Sequence, residues 1–173
     1  MPSRLLLGPG PSNAHPEVLK ALSLNPIGHL DDAYLELMSD VQELLRYVWQ
    51  CNNRVSLPMS GTGSAAMEAS IANFIEEEET ILIAKKGYFG DRLVDMATRY
   101  KANVVVIEKE WGEAFSLDEI KFEIEKNKPS IFAIVHAETS TGVLQPLDGI
   151  GEICRKNNCL FLVDAVTSLG AVK

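Results

Sequence analysis

The sequence predicts an α/β fold, a mainly parallel sheet covered by helices on both faces. Two observations carry that expectation. Several short runs, among them "IFAIV" (Ile131–Val135) and "CLFLV" (residues 159–163), are continuously apolar rather than alternating, as strands covered on both faces must be. These runs alternate with segments of helical periodicity, the rhythm of βαβ units. At 173 residues the chain is long enough to bury a proper core.

Taken in order, the chain opens on a Pro/Gly-rich stretch at residues 8–12, then has a segment of helical spacing at 33–47, its apolar positions Leu37, Val41, Leu44, Leu45 and the adjoining Val48. Residues 55–59 form a short strand candidate. "SGTGS" follows, leading into a helix of small residues over 65–74. Residues 80–84 are apolar and β-branched, the composition of a strand. Residues 91–100 are helical in pattern, with Leu93, Ala97 and Tyr100 on one face, and 103–107 form the next strand. Ser116 and Glu119 make a capping-box pair that opens a helix carrying Leu117, Ile120 and Ile124. The strand Ile131–Val135, a helix over 147–156 and the strand at 159–163 complete the series, giving five expected strands.

Composition narrows the function. The chain is 46% hydrophobic and 23% charged, with a net charge of −8 that repels phosphate backbones and anionic lipid. Nucleic acid and membrane surfaces are therefore not expected partners. The "RLLL" near the start is too short for a signal-peptide core. Cys51, Cys154 and Cys159 form no C-x-x-C pair, and their odd number suits reduced thiols in a cytoplasmic protein.

In open parallel sheets ligands sit beyond the carboxyl ends of strands. Three such ends carry chemically suggestive residues: 60–64, 136–142 and 164–168. In "SGTGSAAMEA" the amides of Thr62, Gly63 and Ser64 would face an anion at the positive end of a helix, with hydroxyls beside them. A phosphate group fits. The stretch also satisfies the dinucleotide fingerprint, and Lys85 and Lys86 could take a 2′-phosphate, so an NADP-binding oxidoreductase domain stays open. A loop serving only close helix–strand packing stays open too.

Asp164 stands at the end of a buried apolar strand, where an unpaired carboxylate is costly. A cation held by the fold relieves that cost. The protonated ring nitrogen of pyridoxal 5′-phosphate (PLP) is one, and its pairing with a carboxylate keeps the ring an electron sink. Such a site also requires a phosphate loop, an aromatic face and a lysine. "KKGYFGDR" supplies Tyr88 and Phe89 for the aromatic face.

The segments "GPGPSNAHPEVL", "IGHLD", "SGTGSAAMEA", "GYFGDR", "VHAETSTGVLQPLDGIGEIC" and "VDAVTSLG", in this order and spacing, make the chain resemble the front of the large domain in class V aminotransferases. The similarity is greatest to the alanine–glyoxylate and serine–glyoxylate (serine–pyruvate) branch, and it covers essentially the whole chain. It implies a fold-type I PLP enzyme, here as an incomplete large domain. By that resemblance Thr62, Gly63 and Ser64 would hold the cofactor phosphate and Phe89 would stack on the ring. Thr139 would reach the ring hydroxyl region, Asp164 would pair with the ring nitrogen, and Val166 would pack beneath the ring. Gly10, Pro11, Gly28 and His29 would lie near the substrate and the dimer interface. His136 and Glu138 would stabilise their loop rather than act as an acid–base pair.

The implied organisation is an arm and interface segment at 1–30, then the PLP-binding portion at 31–173. Glu76 to Glu79 stands where relatives carry a Pro-Gly-Asp turn, Lys86 where they often carry a small polar residue, and Ala171 where a second glycine is common. The lysine that relatives use for covalent attachment, the substrate-carboxylate arginine and a small C-terminal domain are not in the sequence; Lys173 lacks the expected Ser-x-Lys setting. The expectation is therefore a front portion, itself inactive, of a homodimeric enzyme. That enzyme would pass nitrogen from alanine or serine to a 2-oxo acid such as glyoxylate or pyruvate. A non-enzymatic interaction domain that keeps this fold is the other alternative.

Overall fold

The computed structural model describes residues 4–8 and 10–172; Pro9 of the "GPGPS" segment and Lys173 fall outside the described residues. The chain divides into two compact units, Met1–Pro58 and Met59–Lys173.

The first unit contains α1 (Pro16–Leu22) and α2 (Asp32–Val48). Pro16 sits in the first turn of α1, where its missing N–H costs nothing, and His15 Nδ1 accepts from the Glu17 amide. Asp31 caps α2 by accepting from Ala33 N–H at 2.9 Å. Neither helix has a buried residue. The expected apolar face of α2 is only partly covered: Val41 and Leu45 are half-buried, while Leu37, Leu44 and Val48 are exposed.

The second unit holds the sheet. Its strands are β1 (Thr80–Lys85), β2 (Asn103–Glu108), β3 (Ile131–Val135) and, after the short β4 (Ala137–Glu138) and β5 (Val143–Leu144), β6 (Leu160–Asp164). All pair in parallel, in the order β2-β1-β3-β6. Helices α3 (Gly63–Phe74) and α4 (Tyr88–Arg99) cover one face, where Met67, Ile71, Leu93 and Ala97 pack on Ile81, Ile83, Ile131 and Ala133. On the other face Ile120 and Ile124 of α5 (Leu117–Asn127) and Ile150 and Cys154 of α6 (Ile150–Lys156) meet Leu82, Ala84, Phe132 and Ile134. Strand residues thus alternate between two cores, which is why their sequence is apolar throughout. β3 is buried along its whole length, whereas β6 is an edge strand and only partly covered.

Two expectations need correction. Residues 55–59 form no strand: Val55, Leu57 and Met59 are all exposed, and no ladder includes them. An extended apolar run becomes a strand only when a neighbour supplies hydrogen bonds, and Pro58 in its midst offers no donor. The parallel sheet accordingly has four strands, not five. A separate antiparallel pair, β4 (Ala137–Glu138) with β5 (Val143–Leu144), went unforeseen because each arm has only two residues. The helix expected from 147 starts instead at Ile150, after Gly149 in the left-handed region at φ 81°. The capping box at α5 forms as expected, with Ser116 N–H donating to Glu119 Oε2 at 2.8 Å and Glu119 N–H donating to Ser116 Oγ at 3.3 Å.

Candidate active site

A pocket of about 180 Å³ opens beyond the carboxyl ends of β3 and β6. Thr62, Gly63, Ser64, Phe89, Thr139, Asp164 and Val166, widely separated in sequence, all line it.

Thr62 to Ser64 bring the first turn of α3. Thr62 is its N-cap, its Oγ1 accepting from Ala65 N–H at 3.4 Å. The amides of Gly63 and Ser64 precede the first intrahelical acceptor and so point outward as free donors at the positive end of the helix. A Cβ on Gly63 would stand 3.0 Å from Val166 Cγ2, so a side chain there would close the gap between the helix start and Val166.

Asp164 ends β6, paired in register with Val135, and its carbonyl accepts from His136 N–H at 2.9 Å. Its Oδ1 accepts from Val166 N–H at 3.1 Å, which fixes the carboxylate over the turn that presents Val166. No cation pairs with Asp164 among the described residues. Burial raises its pKa above the ordinary carboxylate value, the Val166 amide opposes that shift, and the charge of Glu138 adds to it. Burial thus disfavours the charged carboxylate in the absence of a positive group beside it. Thr139 and Thr167 share a hydroxyl–hydroxyl hydrogen bond of 2.8 Å at the rim.

Phe89 enters from the first turn of α4, with Tyr88 edge-on to it at 5.4 Å between ring centres. That turn is held by a carboxylate from elsewhere. Glu138, 1% exposed, accepts from Phe89 N–H at 3.4 Å through Oε1 and from Gly90 N–H at 3.3 Å through Oε2. His136 lies beside this group, its pKa lowered by burial and by the charge of Lys86.

The lysines that would have served a 2′-phosphate are committed elsewhere. Lys85 pairs with Asp91 at 3.1 Å and Glu108 at 2.8 Å. Lys86 is buried and donates to the Val135 carbonyl at 2.8 Å. Gly10, Pro11, Gly28 and His29 are exposed residues of the first unit. Met67, Val135, Ala137 and Thr167 also line the pocket and were not anticipated. Met67 lies one helical turn beyond Gly63, and Thr167 three residues beyond Asp164, so both could have been found by continuing the local pattern.

The residues present suit a ligand with three features: an anionic group for the α3 start, a cationic atom for Asp164, and a flat apolar body for Phe89 and Val166. PLP has all three.

The family described as aminotransferase class-V matches residues 5–173. The chain is 44% identical over 172 residues to the alanine–glyoxylate aminotransferase of Mus musculus, covering 99% of this chain and 42% of that protein. It is 44% identical over 169 residues to the (S)-ureidoglycine–glyoxylate transaminase of Bacillus subtilis, covering 98% of this chain and 41% of that protein. The crystal structure of an alanine–glyoxylate aminotransferase from Nostoc sp. superposes with a TM-score of 0.96 at 60% identity, over 100% of this chain and 46% of that one. The chain therefore spans less than half the length of these relatives.

Proposed function

The chain belongs to the class V aminotransferase family, and on that premise we propose that its pocket holds PLP and serves transamination in the complete protein. The substrates proposed are a small amino acid, alanine or serine, as donor and a 2-oxo acid such as glyoxylate or pyruvate as acceptor. Relatives named for glyoxylate support the choice of acceptor. One observation carries the reading: a half-buried carboxylate without a cation, Asp164, shares a pocket with the free first turn of α3.

In this reading the amides of Gly63 and Ser64 and the hydroxyls of Thr62 and Ser64 receive the cofactor phosphate. Asp164 faces the ring nitrogen, Phe89 and Val166 hold the flat faces, and Thr139 meets the ring hydroxyl. When bound, the cofactor supplies an electron sink for the substrate's α-carbon. Asp164 keeps its negative charge at the ring nitrogen, and the Val166 amide keeps Asp164 oriented. Phe89 and Val166 exclude water from the ring faces, which strengthens that charge pairing. None of the pocket residues is a lysine.

Gly10, Pro11, Gly28 and His29 are proposed to serve the substrate or the interface of a homodimer, within an arm at 1–30. A cytoplasmic setting is proposed as well; no helix among the described residues is long and apolar enough to cross a membrane.

The test is to titrate the full-length protein with PLP and assay amino transfer from alanine to glyoxylate. Saturable uptake with turnover is expected. Asp164→Ala should retain uptake while losing at least about a hundredfold in turnover, the scale of a removed electrostatic stabiliser. Near-normal turnover in that variant would remove Asp164 from its role.

A further inference from the structure

Four donors converge on one buried side chain beside the pocket. The Glu138 carboxylate accepts from Phe89 N–H, Gly90 N–H, Ser140 N–H at 3.4 Å and Ser140 Oγ–H at 2.6 Å. Ser140 Oγ in turn accepts from Tyr88 N–H at 3.0 Å. The first three amides of α4, which no residue of the helix can satisfy, thus all end on the 138–140 loop. The N-cap residue, Gly87, makes no side-chain cap of its own. Its lack of a side chain is instead what admits the loop: a Cβ there would lie 2.5 Å from Glu138 Cγ and 2.6 Å from Ser140 Oγ.

We propose that Glu138 is a positioning residue for the ring of Phe89: by capping α4 from the 138–140 loop it fixes Phe89 relative to Thr139, the residue that follows Glu138 in the chain. The inference rests on the PLP reading above. Only an acceptor-only group can serve here, because every hydrogen-bonding neighbour is a donor. A glutamine of the same shape must turn its NH2 toward one of them. Lys86 is buried as well; burial lowers its pKa and the charge of Glu138 opposes that shift. Glu138 itself does not line the pocket, so its effect on a ligand passes through Phe89 and Thr139.

Glu138→Gln and the milder Ser140→Ala, made in the full-length protein, test this with three readouts. Hydrogen exchange of the Phe89 and Gly90 amides in cofactor-free protein should accelerate about tenfold in Glu138→Gln, the scale of losing a buried acceptor. PLP should bind about tenfold more weakly. The visible circular dichroism of bound PLP, which reports the asymmetry imposed by its neighbours, should fall in the same order, Glu138→Gln below Ser140→Ala below the unsubstituted protein. Faster exchange with unchanged PLP affinity and dichroism would make Glu138 a helix cap only, and overturn the proposal. Unchanged exchange would overturn it at its first step. If the unsubstituted protein takes up no PLP, the PLP reading fails and the positioning role fails with it, whatever the exchange data show about the cap.

Discussion

Thr139 and Thr167 meet hydroxyl to hydroxyl at 2.8 Å, and this bond ties the loop after β3 to the turn after β6 at the pocket rim. The two strands are already neighbours in the sheet, with Val135 paired to Asp164. The bond joins the two chains four residues past Val135 and three past Asp164, beyond the last ladder position. It is also exposed, so water competes for both hydroxyls.

A double-mutant cycle should read this out. Thr139→Val and Thr167→Val should each cost about 0.5 kcal/mol in chemical denaturation, and the double variant should cost less than their sum because one bond is lost in all three. Strict additivity would mean that the two hydroxyls act independently.

Asp164 makes a prediction about pH. Its pKa is raised in the folded protein, chiefly by burial, from an ordinary value of 3.8. A carboxyl raised on folding binds its proton more tightly when native, so its contribution is most favourable below 3.8 and declines as pH rises through its folded value. Asp164→Asn cannot ionise, and its oxygen can still accept from Val166 N–H. In cofactor-free protein the variant should match the parent near pH of about 3 and become the more stable of the two at about 7. A stability difference that does not grow with pH would show that the carboxylate is not strained by its surroundings.

How much of this could be seen in the sequence differs by element. β1 and β3 were legible because burial on both faces leaves a continuously apolar signature, and α5 because its capping box is local. Residues 55–59 carry the same local signature as a strand, yet pairing is a tertiary event and none occurs there. α4 begins at Tyr88, three residues before its periodic pattern, because its cap comes from Glu138, far along the chain. No local rule reports a cap supplied across such a separation. Loop, strand-end and aromatic chemistry point to Thr62, Gly63, Ser64, Phe89 and Asp164, family resemblance adds Thr139 and Val166, and all seven line one cavity. A loop-stabilising role for Glu138 is expected from the resemblance, but its bonds to the start of α4, and those of Ser140, appear only once the loops are placed.

Glu119 should matter most at neutral pH and least in acid. Its carboxylate completes the α5 capping box and pairs with Lys109 at 2.5 Å. Lys109, then the Ser116 amide and hydroxyl, hold its pKa down to about 2 from 4.5. A carboxyl lowered on folding contributes fully above its ordinary value and loses that contribution as pH falls toward the folded one. Glu119→Gln keeps an acceptor for the box and removes the charge. The stability gap to the parent should be constant above about pH 5 and shrink between there and about pH 2. A gap that persists undiminished in acid would place the effect in hydrogen bonding rather than charge.

Gly149 and Gly142 offer a controlled comparison of backbone strain with steric crowding. Both have positive φ, 81° and 74° respectively. A Cβ at Gly142 would meet nothing within 4 Å, so Gly142→Ala should show the left-handed penalty alone, about 1 kcal/mol. At Gly149 a Cβ would stand 2.9 Å from Leu117 Cδ2. That atom is the far end of a partly exposed side chain, which can swing toward solvent at little cost. The two alanine variants should therefore lose nearly the same stability, with Gly149→Ala exceeding Gly142→Ala by less than about 1 kcal/mol in chemical denaturation. A surplus of several kcal/mol at Gly149 would mean that Leu117 is locked in place and that the start of α5 is packed rigidly against the start of α6.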